Sequence, residues 1–203
     1  MVVIIDYKSG NTRSVYNAIN NLKVNVKISS NINDIKKSSA IILPGVGSYN
    51  QCMELLKKNG LLDVLYEEVI VNKKLFLGIC VGMQILSDFG LENKKTKGLG
   101  WIAGEVKKID VGQNYVLPHM GWNNLIIKKN SLLLKNLIND PTFYFVHSFA
   151  INPKDKSLIT STCDYGEQII SSIEKDNIFA VQFHPEKSQY NGLTLLKNFL
   201  DLR

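Results

Sequence analysis

No apolar run in this 203-residue sequence approaches the roughly 20 residues a helix needs to cross a bilayer. The N-terminus, Met1 to Asp6, has no basic region and passes straight into an apolar run, so a signal peptide is not expected. Cysteine is scarce: Cys52, Cys80 and Cys163 are odd in number and far apart. That excludes a disulfide framework and any Cys-x-x-Cys metal or redox site, and fits a reducing, cytoplasmic location. No metal site or cofactor is expected. Lysine and arginine exceed aspartate and glutamate, giving a formal charge of +6. The lysines, however, come in scattered pairs with no aromatic residues between them, so a nucleic-acid groove is not expected. A solvated basic surface accounts for them, with a basic face toward an acidic protein partner as the second reading. Linkers, internal repeats and low-complexity tracts are also missing, and the length suits one α/β domain over residues 1–203.

What is present begins with residues 75 to 86. The apolar run Leu75 to Ile79 ends at Cys80, and helix-like spacing resumes at Met83, Ile85 and Leu86. Gly78 and Gly82 flank the cysteine at two residues on either side. Gly-x-Cys-x-Gly at a strand-to-helix switch is the cysteine form of a nucleophile elbow. A chain that reverses within one residue forces strained dihedrals on the nucleophile. Neighbouring backbone must then pass where a Cβ would clash. The sulfur is expected at the C-terminal rim of a sheet, where a helix dipole and free N–H groups favour thiolate. A buried structural cysteine is the alternative.

Around this stretch the chain reads strand (Val2 to Ile5), helix from Thr12, strand (Val24 to Ile28), short helix (Asn33 to Ser38) and strand (Ala40 to Leu43). Two helical segments between 51 and 72 break at Asn59 and Gly60. Leu91 to Gly100 reads as a polar loop. Short strands are then expected at Glu105 to Ile109, Tyr115 to Leu117, Asn124 to Ile127, Thr142 to Val146, Lys156 to Cys163, Gln168 to Glu174 and Ile178 to Phe183. Pro118 to Asn123 interrupts them, and a helix closes the chain from Asn191 to Leu202. The predicted class is α/β: a doubly wound, mostly parallel sheet with an additional antiparallel segment. Pro44, Gly45, Val46 and Gly47 follow a strand directly. They lack the lysine and spacing of a phosphate loop and read as backbone N–H donors for an oxyanion, or as a plain turn.

A cysteine nucleophile needs a base. His184 closes a strand within His184, Pro185 and Glu186, and the carboxylate two residues on can reach the second ring nitrogen, as the acid of a triad does. The order Cys80, His184, Glu186 disfavours an α/β-hydrolase, whose acid precedes its histidine. His119 and His147, near aromatics, read as hydrogen-bonded structural residues. Gln84, one helical turn from Cys80, either reads an amino-acid head group or caps packing.

Gly78 to Gln84 together with His184, Pro185 and Glu186 resembles the class I, triad-type glutamine amidotransferases. Pro44 to Gly47, Pro118 to Asn123, Phe145 to Ser148 and Gln182 to Ser188 are similar to the glutaminase subunits of imidazole glycerol phosphate synthases. The resemblance covers nearly the whole chain and implies a division of roles. Cys80, His184 and Glu186 would hydrolyse L-glutamine, with Val46, Gly47 and Val81 at the oxyanion. Gly45, Gln84, His147, Ser148 and Phe149 would hold the glutamine. Asn11, Trp122, Tyr144 and Lys187 would face a (β/α)8-barrel cyclase that receives the ammonia and makes imidazole glycerol phosphate and AICAR in histidine biosynthesis. It also implies a glutaminase silent without that partner. The expected gate is a flip of the Pro44 to Gly47 loop, driven by the partner's bound ligand and made cheap by the two glycines. Gly98 to Ile102 resembles a paralogous branch that supplies ammonia for surface-polysaccharide sugar amidination. A stand-alone cysteine hydrolase and a catalytically inactive subunit are the other classes to be distinguished.

Overall fold

In the computed structural model, which describes residues 1–203, the chain begins β1 (Val2–Ile5), α1 (Thr12–Asn21), β2 (Val26–Ser29), α2 (Ile32–Lys37) and β3 (Ala40–Gly45). Next come α3 (Tyr49–Lys58) and α4 (Leu62–Tyr66), the latter running on as a π-helical turn over Glu67–Val71. They lead to β4 (Leu75–Cys80) and the short α5 (Val81–Gln84). The second half carries β5 (Phe89–Gly90), β6 (Thr96–Lys97), β7 (Gly104–Lys108), β8 (His119–Asn124) and β9 (Ile126–Ile127). It continues with β10 (Thr142–His147), β11 (Phe149–Pro153), β12 (Ile159–Tyr165), β13 (Glu167–Lys175), β14 (Ile178–Val181) and α6 (Gln189–Leu200).

The main sheet runs β2-β1-β3-β4-β14-β13-β12-β9. Its first five strands are parallel and the rest antiparallel. The expected mostly parallel sheet with an antiparallel extension is therefore present. Strands β1, β3 and β14 are buried along their whole length, and β4 from Phe76 onward. Such continuously apolar strands are covered on both faces, as parallel strands in α/β folds are. A two-stranded ribbon (β8, β10) and a four-stranded sheet (β11-β7-β5-β6) complete the antiparallel part. No helix is long and apolar enough to cross a membrane.

Three expectations need correction. Tyr115 to Leu117 is not a strand; the interrupting run beside it is, because His119–Asn124 pairs antiparallel with Thr142–His147. The polar loop after Leu91 contains β6, paired with Phe89 and Gly90. The helix after Cys80 is a single turn. The carbonyls of Ile85 and Leu86 accept instead from Leu99, Trp101 and Ile102 at 2.8–3.0 Å, so these tertiary partners end it.

Candidate active site

Cys80 closes β4 with φ 56° and ψ −113°, a region that L-residues rarely occupy. The surroundings impose it. A Cβ on Gly82 would lie 1.9 Å from the Leu43 carbonyl oxygen, and one on Gly78 would lie 2.6 Å from the Gly82 oxygen. The turn thus presses its own backbone and that of β3 together, and only hydrogen fits at both positions.

The second group arrives from the far end of the chain. β14 pairs parallel with β4, Val181 opposite Ile79, which carries residues 182–184 alongside the elbow. His184 N–H donates to the Tyr144 carbonyl at 2.9 Å, and Ser188 Oγ donates to the His184 carbonyl at 2.6 Å. Pro185–Lys187 forms a 3-10 turn that returns Glu186 to the ring. Glu186 Oε1 lies 2.9 Å from His184 Nδ1, with both side chains almost fully buried. The same oxygen accepts from Asn11 Nδ2 at 3.3 Å. His184 Nε2 is buried and has no hydrogen bond of good geometry. Burial alone would lower the His184 pKa; contact with the Cys80 sulfur and the Glu186 carboxylate outweighs it and raises it to about 10. A histidine held protonated by a buried carboxylate and a neighbouring sulfur can give up a proton inside the cavity.

Cys80 and His184 line one cavity of about 300 Å³ with Val46, Gly47, Val81, Gln84 and residues 146–149. Gly45 does not line it. Gly45 is paired with Cys80 in the sheet, and a Cβ there would sit 2.7 Å from the Gly82 nitrogen. Glu92 and Pro118 also line the cavity, and sequence reasoning missed both. Glu92 comes from the polar loop and accepts from the Tyr49 N–H, at the start of α3, at 2.7 Å; no local pattern marks that reach.

The loop after β3 is held from behind. Ser9 Oγ donates to the Val46 carbonyl at 2.6 Å. Cys52 Sγ stands 3.5 Å from the same oxygen and 3.4 Å from Ser9 Oγ. Burial raises the pKa of the Cys52 thiol.

His147 and His119 form a directional chain. Asn123 Nδ2 donates to the Asp164 carbonyl and also faces His119 Nε2 at 3.2 Å, which makes that ring nitrogen an acceptor. His119 Nδ1 then donates to His147 Nε2 at 3.1 Å, and His147 Nδ1 donates to the Phe149 carbonyl at 2.9 Å. Both rings are neutral: burial lowers His119 to about 4 and His147 to about 3. The His119 ring stacks on Tyr165 at 4.0 Å. Both histidines are thus structural in their bonding, and His147 also borders the cavity.

Outside the cavity, Trp122 is half exposed and meets Tyr144 edge-on at 6.1 Å. Lys187 Nζ lies 5.5 Å above the Tyr144 ring. Asn11 stands apart from this aromatic cluster, against Glu186.

The family model for class-I glutamine amidotransferases matches residues 3–202. This chain is a class-I glutamine amidotransferase. Among its relatives in that family is the imidazole glycerol phosphate synthase subunit HisH of Pelagibacter ubique, 48% identical, with 99% of each chain covered. The chloroplastic imidazole glycerol phosphate synthase hisHF of Arabidopsis thaliana is 43% identical over 98% of this chain, which matches 34% of that longer protein. A crystal structure of a glutamine amidotransferase shares the amidotransferase fold at TM-score 0.77 and 18% identity, covering 100% of this chain and 98% of the other.

Proposed function

We propose that this chain is the glutamine-hydrolysing subunit of an imidazole glycerol phosphate synthase, acting through Cys80, His184 and Glu186. The observation that carries the reading is the buried Glu186–His184 pair on the same cavity as a cysteine in a strained elbow. The full-length relatives named HisH support the choice of subunit.

In this reading Cys80 Sγ, as thiolate, attacks the side-chain carboxamide carbon of L-glutamine. The oxyanion that forms is met by the Val81 N–H and by an N–H of the Val46–Gly47 segment. Collapse breaks the C–N bond as His184 Nε2 gives its proton to the departing nitrogen, releasing ammonia. Water then attacks the glutamyl thioester and leaves its proton on His184. Thiolate departs, glutamate is released, and the imidazolium–thiolate pair is restored. Glu186 fixes the ring and stabilises its protonated form. Gln84, His147, Ser148 and Phe149 border the space for the amino-acid end. The Gln84 nitrogen is already committed to other partners, which leaves its oxygen for the ligand.

The aromatic cluster of Trp122 and Tyr144 with Lys187 is the proposed docking face for a barrel-shaped cyclase, to which the ammonia passes. The Arabidopsis relative supports a covalent or non-covalent union with a second catalytic unit, since its matching region is a third of a longer synthase. The hold of Ser9 and Cys52 on the Val46 carbonyl is the proposed restraint that keeps the chain silent alone.

The test is covalent trapping. A glutamine analogue carrying an electrophile at the carboxamide position should label Cys80 alone, and Cys80→Ala should abolish labelling. Labelling of Cys52 or Cys163 in its place would overturn the assignment.

A further inference from the structure

Gln182 lies two residues before His184 and is fully buried. A buried carboxamide has to place both its oxygen and its nitrogen. Gln84 Nε2 donates to the Phe149 carbonyl at 2.8 Å and to Gln182 Oε1 at 3.0 Å. Both partners are oxygens, so the end of Gln84 between them is its nitrogen. Gln182 is fixed in turn, with Oε1 toward Gln84 and Nε2 toward Cys80 Sγ at 3.7 Å. The opposite orientation would set two NH₂ groups against each other and a carbonyl oxygen against the sulfur.

We propose that Gln182 is a positioning residue for the nucleophile: its amide, oriented by Gln84, donates a hydrogen bond to the Cys80 sulfur and favours the thiolate. This rests on the reading of Cys80 as the nucleophile. The donor fills a gap in the fold. Only one helical turn follows Cys80, whereas a macrodipole builds up from many aligned peptides. A fixed side-chain N–H beside the sulfur supplies what the short helix does not. Hydrogen bonds to an ion are roughly twice as strong as neutral ones, so the donor favours the attacking thiolate. It also favours the thiolate that departs when water cleaves the thioester. The intervening thioester sulfur, neutral and a weak acceptor, gains less.

The test is the pH dependence of iodoacetamide alkylation at Cys80 in the full chain, read by peptide mass, with Cys80→Ala as background. Cys80 borders the cavity, whereas Cys52 and Cys163 are fully buried away from it and burial pushes Cys163 up to about 12, so they compete poorly. In Gln182→Met the half-maximal pH should rise by about one unit, the size expected for losing one charge-assisted donor. Gln84→Met leaves Gln182 in place but unoriented, and should move the profile the same way by less. It carries the test if Gln182→Met fails to fold by circular dichroism. A folded variant that titrates at or below the wild-type pH overturns the proposal. The two readings separate cleanly. A shifted profile in a chain that never releases glutamate with its partner keeps the donor and sinks the glutaminase. Normal turnover with an unmoved profile does the reverse.

Discussion

Gly82→Ala puts the elbow's steric argument to a quantitative test. The added Cβ would stand 1.9 Å from the Leu43 oxygen and 3.0 Å from the Leu43 carbonyl carbon. Ordinary contact begins near 3.4 Å, so the two segments must separate by more than 1 Å. β3 has little room to yield, since it pairs with β4 over six positions from Ala40–Leu75 to Gly45–Cys80. The displaced part is therefore α5, which carries the Val81 N–H and sets the direction of the Cys80 sulfur. Overpacking of this kind costs about 1–3 kcal/mol. For a chain of this length that lowers the melting temperature by about 2–12 °C. A shift near 1 Å at reacting atoms costs on the order of 10²-fold in rate. Differential scanning fluorimetry reads the first effect, and glutamate release in the complex with a barrel cyclase reads the second. A variant melting within a degree of the parent with undiminished turnover would refute the reasoning, because the elbow would then not depend on that contact.

Further outcomes follow from the same geometry. Ser9→Ala removes a hydrogen bond from the Val46 carbonyl; at about 0.5–1.5 kcal/mol, partner-free glutamine hydrolysis should rise roughly 2- to 10-fold, and no change or a decrease would remove Ser9 from the restraint. Acid should destabilise the chain through His147, whose folded pKa of about 3 lies below its ordinary value of 6.5. The unfolded state then binds more protons, so stability present above 6.5 is lost as pH falls, by up to about 2 kcal/mol at pH 5; urea titrations at pH 7 and 5, compared with His147→Gln, measure it, and an identical pH response in the variant contradicts it. Trp122→Ala should weaken cyclase binding by about 10-fold or more, as truncating an interface aromatic does, while Cys80 labelling stays intact; calorimetry showing unchanged affinity would move the docking face elsewhere.

The parts legible in the sequence are those whose cause is local. Gly78 reflects a contact within its own turn, and the spacing of Gly78 and Gly82 about Cys80 marks the elbow although Gly82 answers to Leu43 of β3; Pro185 between His184 and Glu186 closes a ring–carboxylate contact over three residues. The apolar runs of β1, β3 and β4 mark buried parallel strands because their burial is continuous. What stayed hidden depends on distant partners. His119–Asn124 lacks an apolar alternation, and only β10 makes it a strand. The helix after Cys80 looks longer in its spacing than it is, because residues 99–102 claim its carbonyls. The bond from Gln182 to Cys80 spans 102 positions, so spacing gives no sign of it.

The central claim is that Cys80 cleaves glutamine on behalf of a second subunit. Its most direct test is the Cys80→Ala chain in complex with the barrel cyclase, assayed for synthesis with glutamine and, separately, with ammonium salt. Glutamine-dependent synthesis should disappear and ammonia-dependent synthesis should continue at the parent's rate. Glutamine-dependent synthesis that survives the substitution would contradict the claim.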